Sequence, residues 1–339
     1  MKIVFYDVAT PIPYTETTLY ERGLGGTEAT IIRVARALAA YHEIYIAQHC
    51  RDILTEHESV NVNYVSLTTA NRLNPDIVIL LREYEWIDKV GQIFPYAKLY
   101  FWIHNLPPRD FYKVKAVLLQ YQYTIIAVSY FHKQTIINRL NPKWYQQLNF
   151  AARKSVRQQV KIVVVYNPID NDLIPDQTVH NPNQLLFMSS PHKGLAQCLR
   201  IFNRLLQTIP QLELLICNPG NWNSRINIPN AARVLGTIPH REVITYLRTS
   251  LCVFYPQTKR AETFGLVYAE ANAVGTPVLA HDIGSAKEVL SDSQQLVNGK
   301  NFKAIQAKIL AWRKQRPILQ AKSLFRLQHI VQDWLQILV

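Results

Sequence analysis

Cysteine is scarce in this sequence of 339 residues. The four present, Cys50, Cys198, Cys217 and Cys252, are far apart and form neither a CxxC pair nor a Cys/His cluster at metal-ligand spacing. A disulfide scaffold and a zinc module are thereby excluded, and the thiols read as reduced core residues of a reducing compartment. Long apolar runs are missing too, since no stretch approaches the roughly 18 residues of a membrane span. The opening MKIVFYDVATPIP is interrupted by Asp7 and two prolines too soon for a signal peptide. These absences give the expectation of a cytoplasmic protein, in solution or peripheral at the membrane inner face.

Neither HExxH nor a clustered aspartate pattern occurs, so no metal and no metal cofactor is expected. Without GxSxG, nothing supports a serine nucleophile. Acidic residues are few, 24 against 37 basic ones, for a net charge of +13. From Phe111 to Ile169 there is no Asp or Glu at all, against Lys113, Lys115, Lys133, Arg139, Lys143, Arg153, Lys154, Arg157 and Lys161. This local field is open to three readings: a solvated face, a surface meeting anionic lipid through residues 111–161, or one that steers another polyanion. No nucleic-acid-binding module accompanies it, so nucleic acid is not an expected partner.

What is present fits a packed α/β enzyme: 48% of residues are hydrophobic and 18% charged, over a length that suits two domains. Apolar runs at Lys2–Val8, Glu43–His49, Pro75–Leu81, Ala97–His104, Tyr123–Ser129 and Val160–Asn167 read as strands separated by helical segments. After the turn-like NPIDND the pattern restarts at Gln184–Ser190, Leu212–Asn218, Ala232–Ile238, Ser250–Pro256 and Thr276–Asp282. Strands alternating with helices imply parallel βαβ units. Residues 1–166 therefore form an N-terminal Rossmann-like domain and 167–324 a second one, while 325–339 make a terminal helix with too little sequence after it for another unit. Ligands of open parallel sheets bind at the carboxyl ends of strands, so two facing doubly wound halves would share a cleft.

The loops after those strand ends hold the chemistry. ETFGLVYAE, Glu262 to Glu270, sets two carboxylates around a glycine at a helix start, where the amides of Phe264, Gly265 and Leu266 offer donors to an oxyanion or hydroxyl. Such a site suits a molecule anionic at one place and hydroxylated at two others, which describes a nucleotide sugar. GLGGTE places Gly25 and Gly26 before a helix, either as a structural turn or as a close approach for phosphate. In SSPHKG, Ser190, Lys193 and the nearby amides suit a diphosphate leaving group, although a lysine there is equally a solvated one. His104 ends an apolar strand and is read either as a structural histidine or as a partner for a substrate hydroxyl; Ser129 is a weaker candidate of the same kind.

These residues resemble the retaining, GT-B-fold glycosyltransferases of family 4. The likeness rests on Glu262 and Glu270 with FG between them, on GTPVLAHDIGSAKEVL, and on GGTE, NPID, HKG and LGTI spread along the chain; FRLQHIVQDWLQIL is similar to the family's terminal helix, which crosses back onto the N-terminal domain. The resemblance implies that Glu262 contacts the donor sugar, with the Phe264, Gly265 and Leu266 amides beside the sugar or diphosphate, and that Glu270 binds the ribose. It implies further that Lys193 binds the diphosphate, Gly25 and Gly26 line the phosphate and acceptor side, His104 faces the sugar's outer hydroxyls, and the turn from Gly236 to Ile238 holds the base. The implied activity is metal-independent, retaining transfer of a hexose from a nucleotide sugar by front-face displacement, to a lipid-linked, saccharide or protein acceptor. Two departures stand out. The arginine that usually precedes the lysine by about five residues is replaced in the Met188, Ser189, Ser190 region, with Lys259 or Arg260 as substitutes, and GSAKE replaces a double glycine, setting a side chain near the phosphate. The first departure admits a different reading, a catalytically silent GT-B nucleotide-sugar-binding or scaffold subunit.

Overall fold

A computed structural model describes the chain apart from residues 22, 60, 144–158 and 218–226. Contacts divide it into two compact units: Met1–Thr15, Thr27–Pro168 and Leu327–Val339 form the first, and Glu16–Gly26 with Ile169–Arg326 the second.

The first unit is built on β1 (Lys2–Asp7), β2 (Glu43–Gln48), β3 (His57–Glu58), β4 (Val62–Ser66), β5 (Ile77–Leu81), β6 (Lys98–Trp102), β7 (Thr124–Ala127) and β8 (Lys161–Val164). Their order across the sheet is β3-β4-β2-β1-β5-β6-β7-β8, parallel throughout except for β3, which runs antiparallel to β4. The central strands are buried on both faces, so they carry unbroken apolar runs such as IVILL in β5. β3 and β4 were not expected: β4 is short and interrupted by Asn63, yet Val62, Tyr64 and Val65 are buried once it pairs with β2. The terminal helix Leu327–Leu338 buries Ile330, Val331, Trp334 and Leu338 along one stripe. Trp334 meets Trp102 edge-on at 4.7 Å between ring centroids and Phe5 at 6.1 Å, and Tyr100 donates its hydroxyl hydrogen to the Ile337 carbonyl.

The second unit holds β9 (Asn181–Met188), β10 (Glu213–Cys217), β11 (Ala232–Gly236), β12 (Ser250–Tyr255) and β13 (Val278–Ala280), ordered β11-β10-β9-β12-β13 and all parallel. The chain thus forms two Rossmann-like doubly wound sheets, the GT-B class of α/β structure. In each sheet the winding direction reverses once, between β1 and β5 in the first and between β9 and β12 in the second. In open α/β sheets the loops leaving such a strand pair at their carboxyl ends diverge, and that is where ligands of the class bind.

Candidate functional site

In the second unit the reversal point brings together residues from two loops. After β9 the chain makes a short turn, Pro191–Lys193, ended by Gly194; after β12 it runs through Gln257 to Glu262 before entering the helix Leu266–Ala273. Lys193 Nζ lies 2.7 Å from Glu262 Oε2, and the Tyr255 hydroxyl donates to Glu262 Oε1 at 2.8 Å. Glu262 is 5% exposed, so its charge is compensated from both sides at once. Burial, and after it the Glu262 carboxylate, pushes the Tyr255 phenol well above its ordinary range, which keeps it a donor.

The backbone around Glu262 is fixed by the segment that follows β13. Gly284 has φ +68, and a Cβ there would sit 2.7 Å from the Glu262 carbonyl oxygen, so the close approach of the two segments requires glycine. Ser285, fully buried, donates its amide to that carbonyl at 3.1 Å, while its Oγ lies 3.0 Å from the Glu262 carbonyl and 2.7 Å from that of Phe264. The serine of GSAKE therefore turns inward and braces the 262–264 segment, where the sequence reading had it near a phosphate. Gly265 caps the next helix at φ +81, with the Tyr268 ring 2.6 Å from where its Cβ would be. The Tyr268 amide already bonds the Gly265 carbonyl at 2.9 Å, while the amides that open a helix, here those of Leu266 and Val267, point out of its end. Leu266 opens that turn, and a Cβ on Gly26 would meet its Cδ1 at 3.0 Å. Gly25 and Gly26, both exposed, thus belong to the second unit along with this helix.

Glu270, one turn further, is 5% exposed and lies 2.9 Å from His240 Nε2. His240 begins the helix His240–Thr249 just after the turn containing Gly236 and Ile238, so the second carboxylate is tied to the loop that follows β11. The sequence reading missed His240; its only local signal was a histidine at a helix start just after a strand-ending turn. Arg260 is exposed; burial first, then the charges of Lys193 and Arg260, hold the His192 imidazole below its usual range. Gln257 shapes this loop by accepting from the Lys259 and Arg260 amides at 3.0 and 2.8 Å. Ser190 precedes the Pro191 turn and its carbonyl accepts from the Lys193 amide.

The first unit has its own cluster at its reversal point. Asp7, at the end of β1 and wholly buried, takes two bonds from Arg82 Nη2 at 2.7 and 2.8 Å and one from the Tyr14 hydroxyl at 2.9 Å. Arg82 Nη1 also binds Glu28 at 2.7 Å, and Arg82 itself sits at φ +65, a strained backbone for a residue with a Cβ. His104 lies at the end of β6, 6% exposed, its ring 4.6 Å from that of Trp102. Burial first, then the charges of Arg82 and His132, hold it well below the usual histidine range. A neutral imidazole of this kind suits hydrogen bonding to an uncharged hydroxyl better than proton donation. Ser129 caps the helix Tyr130–Leu140 by accepting from the His132 amide, a structural duty.

Of the basic stretch, Lys115 is buried with Nζ 2.7 Å from Asn141 Oδ1 and Lys113 pairs with Asp110, so the surface charge is smaller than the count. Arg153, Lys154 and Arg157 lie outside the described residues. Among the described residues no group of three His, Cys, Asp or Glu is placed to hold a metal ion, and no helix is long and apolar enough to cross a membrane.

The segment carrying this site is similar to a known family. Residues 171–323 match the glycosyl transferases group 1 family. A phosphatidyl-myo-inositol mannosyltransferase of Propionibacterium freudenreichii is 33% identical over 113 residues, which are 33% of this chain and 28% of that protein. The chain thus spans less than a third of that relative's length. A glycosyltransferase structure from Rickettsia africae aligns over 99% of this chain and 97% of its own, with a TM-score of 0.61 and 15% identity. The α,α-trehalose 6-phosphate synthase of Burkholderia multivorans aligns over 99% and 96%, with a TM-score of 0.61 and 11% identity. Across the whole chain, then, the fold is that of GT-B glycosyltransferase structures, and the family match covers residues of the second unit that include Lys193, Glu262 and Glu270.

Proposed function

We propose that the protein transfers a hexose from a nucleotide-diphosphate sugar to an acceptor hydroxyl, with retention and without a metal. The observation that carries this reading is the convergence of Lys193, Glu262 and the helix end at Gly265 on the β9/β12 reversal point, with Glu270 one helical turn away. A diphosphate at that helix end meets outward amides and the Lys193 ammonium, with Arg260 standing in for the missing arginine. Glu262 accepts hydroxyl hydrogens of the sugar and Glu270 those of the ribose. The turn from Gly236 to Ile238, joined to Glu270 through His240, takes the base.

In the reaction the bond from the anomeric carbon to the diphosphate oxygen breaks and a bond from the acceptor oxygen forms on the same face. The acceptor proton passes to the departing phosphate oxygen, so the protein supplies charge stabilisation rather than a nucleophile. His104 is assigned a hydrogen bond to a neutral hydroxyl. For the acceptor, a lipid-linked hydroxyl agrees with the name of the mannosyltransferase relative and with Lys133 and Arg139 on the helix Tyr130–Leu140. Co-sedimentation with liposomes that depends on anionic lipid is the expected result; no dependence on lipid charge sinks the membrane contact.

The deciding experiment is a thermal-shift screen of UDP-, GDP- and ADP-sugars followed by transfer of a radiolabelled sugar from the one that binds. A ligand at 100 times its dissociation constant adds about 2.7 kcal/mol of stability. Lys193→Ala is expected to abolish turnover and Arg260→Ala to weaken donor binding. Nucleotide-sugar binding without turnover over a broad acceptor panel refutes the enzymatic reading, and an unaffected Arg260→Ala refutes the substitution.

A further inference from the structure

Lys193 and Glu262 cannot serve a diphosphate and a sugar while they serve each other. The two oxygens of Glu262 have unlike partners. Oε2 faces the ammonium of Lys193, a flexible side chain that is 38% exposed, whereas Oε1 is held by Tyr255, a wholly buried phenol at the end of β12. β12 pairs in parallel with β9, and the Tyr255 ring packs 5.6 Å from that of Phe187 on that neighbouring strand. One partner is thus free to swing on its methylene stem, and the other is anchored to two paired strands.

A diphosphate carries more negative charge than one carboxylate and offers the ammonium several oxygens, so it competes for Lys193 with advantage. We propose that the Lys193–Glu262 pair is a resting latch which the diphosphate opens by drawing the lysine away, and that Tyr255 is the positioning residue that keeps Glu262 oriented once the lysine has left. Oε2 is then vacated toward the incoming sugar while Oε1 stays fixed. A free sugar, without phosphate, does not open the latch, so the pair selects for the nucleotide-linked form. This rests on the donor-site reading above.

Titration calorimetry with UDP, GDP and ADP, none of which carries a sugar, separates the two ideas. In Glu262→Gln the lysine no longer has a competing anion and the carboxylate no longer repels phosphate. The nucleoside diphosphate that binds wild type should therefore bind the variant roughly fivefold tighter, although transfer is lost. Tyr255→Phe removes one oxygen and should leave that affinity unchanged while lowering kcat by roughly tenfold, because Glu262 is misaimed only at the sugar. Unchanged or weaker binding in Glu262→Gln overturns the latch and leaves the donor site standing. Unchanged kcat in Tyr255→Phe overturns the role of the phenol. If none of the three nucleotides binds wild type, the donor-site reading falls and the latch with it.

Discussion

Acidification should destabilise this protein through His132 well before its carboxylates titrate. The Val128 amide donates to His132 Nδ1 at 3.4 Å, so the ring proton sits on Nε2, which faces the Asn105 carbonyl at 3.0 Å. Protonating Nδ1 turns that acceptor into a second donor opposite an N–H, in the first turn of the helix Tyr130–Leu140, where the dipole already disfavours positive charge. Burial is the main cause that brings the His132 imidazole down to about 4 from 6.5. The native ring therefore binds fewer protons than the unfolded one between those values, and its stability contribution is complete above about pH 6.5 and lost as pH falls through the window. Each such histidine costs about 1.4 kcal/mol per pH unit, or roughly 3 kcal/mol for His132 by pH 4, against a total of about 5–15 kcal/mol for a domain. His104, also buried and shifted down, adds in the same direction. Urea unfolding of the full chain from about pH 7.5 to about pH 5, where exposed carboxylates remain ionised, isolates the histidines. We expect the midpoint to fall steadily below about pH 6.5 and His132→Gln to flatten that fall by one proton's worth. A midpoint that stays level between about pH 6.5 and about pH 5 refutes the argument.

Further substitutions probe the loops at the reversal points of the sheets. Arg82→Ala strands the buried Asp7 carboxylate without its cation and should cost about 3 kcal/mol or more by urea unfolding, with partial recovery in the Asp7→Asn double variant; a wild-type midpoint contradicts this. Gly284→Ala combines a positive φ with a 2.7 Å approach to the Glu262 carbonyl. It is expected to lose roughly 1–3 kcal/mol and to weaken donor binding as well, whereas Ser285→Ala, which removes only the hydroxyl brace, should lose roughly 1 kcal/mol. Equal effects of the two show that the brace, not the backbone approach, governs the loop.

The central strands of both sheets were legible because they are buried on both faces, and burial on both faces writes an unbroken apolar run. β4 escaped notice for the same reason in reverse: its Asn63 breaks the run, and only pairing with β2 makes it a strand. The carboxylates Glu262 and Glu270 were legible as a local pattern, two acids spaced around a helix-starting glycine. Their partners were not. Tyr255 is seven residues from Glu262, Lys193 is 69 away, and His240 is 30 from Glu270. No periodicity links such positions.

Sequence alone determined the α/β class, the repeated βα pattern and the residues that a strand's carboxyl end would present, since these depend on local period and on neighbours a few positions apart. Tertiary structure alone decided which side chains hold one another: Ser285 beneath Glu262, Tyr255 and Lys193 on its two oxygens, Arg82 between Asp7 and Glu28. The reason is the parallel sheet itself. Neighbouring strands are joined through crossover helices, so residues that meet at one sheet edge are separated by whole βα units in the chain.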